Sequence, residues 1–224
     1  MYSSTRADRM LRICGGALLA ASCFAAHANE PSATSTSCSI VAFVDETDPA
    51  GLNVRAAPSA KARVLGTLPP VWVDKDSGSR VRIRVEVMEG SNGWFRIRNA
   101  RDDEDLTGIA ARPTFGGEGW VSGRKLVVKS QARQGHADPA EDSAVLLRLN
   151  EQQIFDGSLM VRASSLVACH GRWAQLEFSD RRLPEPDLKA LDLAPAARAG
   201  LPRGRFRLWV DKICGSQETS CDGL

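Results

Sequence analysis

Cys169 and His170 are neighbours in "VACHGRW", and a thiol beside an imidazole is the pairing that activates a cysteine nucleophile. Such a dyad needs both groups within hydrogen-bond reach. "LMVRASSLVA", Leu159–Ala168, reads as a strand leading into the pair, and in a strand adjacent side chains leave on opposite faces, so the pair cannot act together. "RDDEDL", Arg101–Leu106, offers carboxylates for general acid–base work, which requires one carboxyl to be desolvated so that its pKa rises. Five charges in six residues read instead as a wet surface loop. Asp102, Asp103 and Asp105 supply oxygens for calcium, but the glycine of a calcium loop is missing from its place. "FGGEGW", Phe115–Trp120, is glycine-rich, yet a strand follows it, whereas a phosphate cradle needs the amides of a helix N-terminus. It reads as a hairpin turn. His136 sits in a polar stretch and is expected in solvent. Neither G-x-S-x-G nor H-E-x-x-H occurs. These residues predict no catalytic site, no metal centre and no cofactor.

The chain opens with Arg6, Arg9 and Arg12, then an uncharged, largely apolar run of 14 residues, Ile13–Ala26, then Ala26-His27-Ala28. This order is that of an export signal, with cleavage expected after Ala28. The run is short for a membrane span, which needs roughly 20 residues. Two other readings are an uncleaved anchor and lipidation of Cys23 in "AASC", where Ala20 stands in place of the usual leucine. Residues 1–28 hold three arginines and one aspartate. Of 29 basic and 27 acidic groups in the whole chain, 26 of each therefore remain. A balanced mature chain offers no basic field for nucleic acid or an anionic membrane.

Cys38, Cys169, Cys214 and Cys221 remain after the signal, an even number that predicts two disulfides in an exported protein. A four-cysteine zinc site would need a C-x2-C pair, and none is present. "GSQETS" between Cys214 and Cys221 is flexible enough to bring its ends together. That bridge is favoured, with Cys38–Cys169 following, although three pairings are open.

Positioning comes from short strands. Pro58, Val64, Leu65 and Leu68 recur at Pro139, Val145, Leu146 and Leu149 with identical spacing. "GWFRI" at Gly93–Ile97 recurs as "RWAQLEF" at Arg172–Phe178, and "GWVSGRKL" at Gly119–Leu126 as "LWVDKI" at Leu208–Ile213. Three matches in one order indicate two similar halves. "VRIRVEV", Val81–Val87, alternates strictly, as a half-buried strand does. Helix signals are confined to "PDLKALDLAPAARAG", whose prolines limit it to one or two turns. The prediction is an all-β protein of two small barrels in tandem after a cleaved signal peptide. Residues 39–128 form the first, 129–136 a polar linker, and 137–221 a degenerate second barrel with an insertion at 180–204.

"GLNVRAAPSAKARVLGTL", Gly51–Leu68, followed by "GWFRI" and "GEGWVSG", resembles the bacterial SH3-like (Src-homology-3-like) domain family. Residues 39–128 carry the full pattern, with insertions at 69–79 and 100–117. Residues 137–214 match only the later elements, without a Leu-Asn-Val-Arg strand. The resemblance implies five- to six-stranded barrels of bent antiparallel sheets, export, and association with the cell envelope. Several members target cell-wall hydrolases by binding peptidoglycan peptides. The implied role is a non-catalytic periplasmic or secreted binding module whose partner is a cell-wall peptide or an envelope protein. Alternatives are an adaptor subunit of an envelope complex and an accessory to a wall hydrolase.

Within the motif, Leu52 and Val54 are expected inside, Asn53 outside, and Arg55 on a turn carbonyl or in solvent. Trp94 matches Trp173 and Trp120 matches Trp209, which favours architecture, whereas Trp72 in "PPVWVDKDSG" has no counterpart. Asn53, Trp72, Trp94 and Trp120 are the candidate ligand contacts. The sole tyrosine, Tyr2, lies in the signal, so a tyrosine-lined groove for proline-rich peptides is not expected. Non-reducing peptide mapping is expected to recover a Cys214–Cys221 peptide; a Cys169–Cys214 peptide would refute the pairing.

Overall fold

The alternation from Val81 to Val87 has a direct outcome: Val81, Ile83, Val85 and Val87 are buried, while Arg82, Arg84 and Glu86 stay half-exposed. The same logic runs through the chain and makes the protein all-β. The computed structural model describes residues 35–150, 153 and 155–217. The expected signal, residues 1–28, and Cys221 lie outside the described residues.

In the first half the strands are β1 (Thr36–Val44), β2 (Leu52–Arg55), β3 (Val64–Leu68), β4 (Trp72–Val73), β5 (Arg80–Val81), β6 (Arg84–Ser91), β7 (Trp94–Arg101), β8 (Gly119–Ser122) and β9 (Leu126–Val127). Seven of them form one sheet in the order β3-β2-β8-β7-β6-β1-β9, and β4 pairs with β5 as a separate hairpin. The two-residue turn Asn92-Gly93 joins β6 to β7 with φ of 50° and 75°, the left-handed pair that matches strand twist. A one-turn helix, α1 (Glu104–Thr107), is capped by the Asp103 carboxylate, which accepts from the Leu106 N–H.

The second half contains β10 (Lys129–Ser130), β11 (Gln134–His136), β12 (Val145–Arg148), α2 (Ser158–Ala163), β13 (Ser164–His170), β14 (Trp173–Ser179), α3 (Glu185–Lys189), β15 (Asp192–Leu193), β16 (Arg205–Val210) and β17 (Ile213–Cys214). A six-stranded sheet runs β13-β14-β16-β11-β12-β15, and β10 pairs with β17. α3 has five residues, with Pro184 at its N-cap and Pro186 in its first turn, and its neighbour β15 adds an edge to β12.

Five strands of each sheet share one order: β3-β2-β8-β7-β6 in the first and β12-β11-β16-β14-β13 in the second. The turns between the paired strands agree bond for bond. The amides of Ala56, Ser59 and Ala62 donate to the carbonyls of Arg63, Ala57 and Ser59. Those of Ala137, Ala140 and Ser143 donate to Ala144, Asp138 and Ala140. Arg55 Nη1 donates to the Ala62 carbonyl at 2.8 Å, which settles its role as a turn tie. His136 Nδ1 lies 3.3 Å from the Ser143 carbonyl, also seven residues on.

Two expectations are corrected here. Residues 129–136 are not a polar linker: β10 and β11 occupy most of them, and Lys129, Ser130, Ala132, Gly135 and His136 are buried. They escape solvent because β17, β12 and β16 pair with them from later in the chain. His136 is therefore not solvated; it is 8% exposed and meets the Trp173 ring edge-on at 5.6 Å.

The halves are joined in three ways. One apolar cluster includes Val54, Val85 and Phe95 from the first half and Leu166, Leu176 and Phe206 from the second. The Cys38–Cys169 disulfide links β1 to β13, as expected, and its Cys169 sulfur packs beside Gly90. Cys214 is also disulfide-bonded, with its expected partner Cys221 outside the described residues. Finally, the tail returns: the Gln217 side chain accepts from the Arg82 N–H and donates to its carbonyl, both at 2.6 Å, imitating a strand partner.

The disulfide closes a segment of 131 residues, so its loss releases substantial chain entropy. The paired Cys38→Ala and Cys169→Ala variant is expected to lose about 2–5 kcal/mol in denaturant titration. Gly123→Ala is expected to cost about 1–3 kcal/mol by overpacking, because its methyl would sit 2.2 Å from the Leu166 carbonyl oxygen. An unchanged midpoint in either variant would contradict this account of the junction.

Candidate functional site

Strand alternation sorts the expected contact residues. In β8, Gly119 and Val121 are buried and Trp120 and Ser122 face outward; in β7, Phe95 and Ile97 are buried and Trp94, Arg96 and Arg98 face outward. In β2, Leu52 and Val54 enter the core and leave Asn53 exposed. Asn53, Trp94 and Trp120 thus share the outer face of the first sheet. Trp72 does not join them, because it pairs with Val81 in the separate β4–β5 hairpin. The tryptophans are less internal than expected: Trp94 and Trp120 are half-buried, and only Trp173 of the matched four is buried.

Trp94 alone of the four expected residues borders a cleft of about 960 Å³ between the two halves. The Asn92-Gly93 turn fixes its place at the start of β7. Beside it, the 3-10 turn Gly123–Lys125 presents an exposed Arg124. The opposite wall comes from Ser165–Val167 of β13, Glu177 of β14, and Arg205 and Arg207 of β16. In "RFRLW" the apolar Phe206 and Leu208 go inward, which leaves Arg205 and Arg207 facing out. Glu177 stands opposite Arg207 in the ladder and accepts from its Nη2 at 2.6 Å, while Arg205 Nη1 reaches the other carboxylate oxygen at 3.4 Å.

The insertion supplies the last wall. Asp180 takes both Nη atoms of Arg198 at 3.0 and 3.1 Å, and its N–H donates to the Gly204 carbonyl. This holds the turn Asp180–Arg182 so that Arg182 and Pro202 line the cleft. Four guanidiniums and one carboxylate therefore converge, a donor-rich surface suited to anions. Reading the sequence missed these residues. The alternation around Phe206 marked Arg205 and Arg207 as outward, but nothing in the sequence aligned them with Arg124.

Cys169 is bonded to Cys38 and His170 is exposed, so no cysteine dyad forms. The acidic loop is not wholly wet. Asp102 is enclosed, and its carboxylate accepts from Arg112 Nη2, Nε and N–H at 2.5, 2.7 and 2.9 Å. Arg112 also donates to the Pro70 carbonyl at 2.6 Å, anchoring the segment ahead of Trp72. Asp45 likewise accepts from Arg82 Nε at 2.8 Å and Arg80 Nη2 at 3.2 Å. No family model, curated protein or solved structure matches the chain.

Burial pushes the Asp45 and Asp102 carboxyls up, but the hydrogen bonds and charge of their arginines outweigh it and hold both below the ordinary value. A lowered folded value means these groups stabilise fully above the unfolded aspartate pKa of about 4 and cease to do so as pH falls through the folded value. The denaturant midpoint is expected to drop on acidification from about pH 5 to about pH 3. Asp102→Asn is expected to lower stability at neutral pH and to flatten part of that slope. An unaltered slope would show that the Asp102–Arg112 pair does not contribute.

Proposed function

We propose that this chain is an exported, non-catalytic binding protein of two SH3-like barrels, acting in the periplasm or outside the cell on a cell-wall peptide or an envelope protein. One observation carries the reading: a cleft at the junction of two repeats, walled by Trp94 on one side and an excess of guanidiniums on the other. An aromatic face with convergent polar donors is how small-ligand and peptide sites are built. The shared strand order supports two copies of one barrel unit. The Cys38–Cys169 disulfide suits an oxidising compartment. Among the described residues, no helix is long and apolar enough to cross a membrane.

An adaptor role draws support from a different feature. Val64, Val73, Leu106 and Ile109 are large apolar side chains left exposed, all of them in the first half. Cosedimentation of residues 29–224 with purified peptidoglycan separates the readings. Wall binding predicts retention several-fold above that of Trp94→Ala at low salt. Equal, background retention of both would remove the wall ligand, and crosslinking in intact cells would then be expected to yield a discrete protein complex.

A further inference from the structure

The cleft's charge is out of proportion to the chain's. The whole sequence is nearly balanced, 29 basic against 27 acidic residues, yet Arg124, Arg182, Arg205 and Arg207 face a single carboxylate, Glu177. Glu177 does not satisfy its neighbours. It engages Arg205 and the Nη2 of Arg207, while the Arg207 Nε is buried with no acceptor. A buried N–H without an acceptor is unfavourable, and a ligand oxygen would relieve it. Arg182 spends one N–H on the Arg162 carbonyl at 3.3 Å. Arg124 is exposed and has no ion-pair partner among the described residues. Three guanidiniums thus retain donors, on walls contributed by both halves.

We infer that the cleft binds a short peptide through its carboxylates, with Arg124, Arg182 and Arg207 receiving the anionic oxygens and Trp94 flanking the peptide's apolar part. This rests on the binding-protein reading above and names the ligand chemistry of that site. The planar guanidinium fork matches carboxylate geometry, and Glu177 between Arg205 and Arg207 shows that the walls already hold one. The volume, about 960 Å³, is at the upper end for a small-ligand site and admits several residues of extended chain. A nucleic-acid ligand would call for a basic face that extends well beyond one cleft, and the near balance of charge argues against it.

The test uses the full mature chain and the peptide acetyl-Ala-Glu-Glu-Ala with a free C-terminus, titrated by tryptophan fluorescence and calorimetry. The comparison ligand has both glutamates replaced by glutamine and an amidated end. Arg124→Glu and Arg182→Glu alter exposed side chains, and their melting curves check that the fold is kept. The acidic peptide is expected to bind at least tenfold more tightly than the neutral one. Affinity is expected to fall with added salt and to drop at least tenfold in the Arg124→Glu/Arg182→Glu double variant. Equal affinity for both peptides, or an unaffected double variant, overturns the inference. So does tighter, arginine-dependent binding of inorganic phosphate or of phosphatidylglycerol vesicles, which would assign the site to another anion.

Cosedimentation of the same variants separates this result from the broader reading. Wall retention that survives in the double variant, without acidic-peptide binding, overturns the cleft assignment and leaves wall binding standing. Acidic-peptide binding without wall retention removes the wall ligand and upholds the cleft.

Discussion

Two sheets of short strands depend on one shared interior. Each half contributes strands of two to nine residues, and so short a set of strands encloses only a thin core of its own. The chain answers by making the cores continuous. Gly123 is the point where this is most exacting: only a residue without a side chain lets the 3-10 turn of the first half lie against the Leu166 carbonyl of the second. The disulfide and the Gln217 clamp both act across the same junction. The cleft is a by-product of this closeness, since its two walls are fixed by the contacts that hold the halves together.

The two halves agree in backbone hydrogen bonds and differ in side chains. The turn 55–64 and the turn 136–145 keep the same amide-to-carbonyl pattern, yet the side chain that ties each turn changed from Arg55 to His136. The cross-strand neighbours changed accordingly. Trp120 lies between Arg55 and Arg96, whereas Trp209 lies between His136 and Gln175. Trp173 meets His136 edge-on and both are buried, whereas Arg55 and Trp94 at the matching positions are half-buried.

Local signals were the legible part of the sequence. Period-two alternation gave the burial of Val81–Val87 correctly, although Arg82 and Ile83 separate β5 from β6 where one strand was expected, and Pro58 with Pro139 marked the repeated turns. The all-β class was readable because short alternating runs pair, and the Cys38–Cys169 bridge was one of three pairings open to four cysteines. Residues 129–136 were illegible because their composition is polar and their partners lie far along the chain. Asp102 was misread because the arginine that neutralises it is ten residues away across a loop. The cleft arginines were individually visible as outward residues, but their convergence is a property of the packed halves.

The unequal loops explain why the site faces the second sheet. In each half a long segment joins the strand that starts with the first matched tryptophan to the strand that carries the second. In the first half, residues 102–118 fold back on the Pro70 carbonyl and set Phe115 against Gly66 and Gly117, which covers the β3 side of the sheet. In the second half, residues 180–204 are tied by Asp180 and Arg198 to the start of β16, on the side where β14 and β16 present Glu177 and Arg207. The residue two before the second matched tryptophan is Glu118 in one copy and Arg207 in the other. Glu118 accepts from Arg96 at 2.6 Å and Glu89 lies 3.8 Å from the same guanidinium, so carboxylates outnumber it there. Arg207 shares a single carboxylate with Arg205, and that surplus is what the insertion encloses. Two sheets with one strand order thus differ in the polarity of a face through the placement of a loop and the charge at one position.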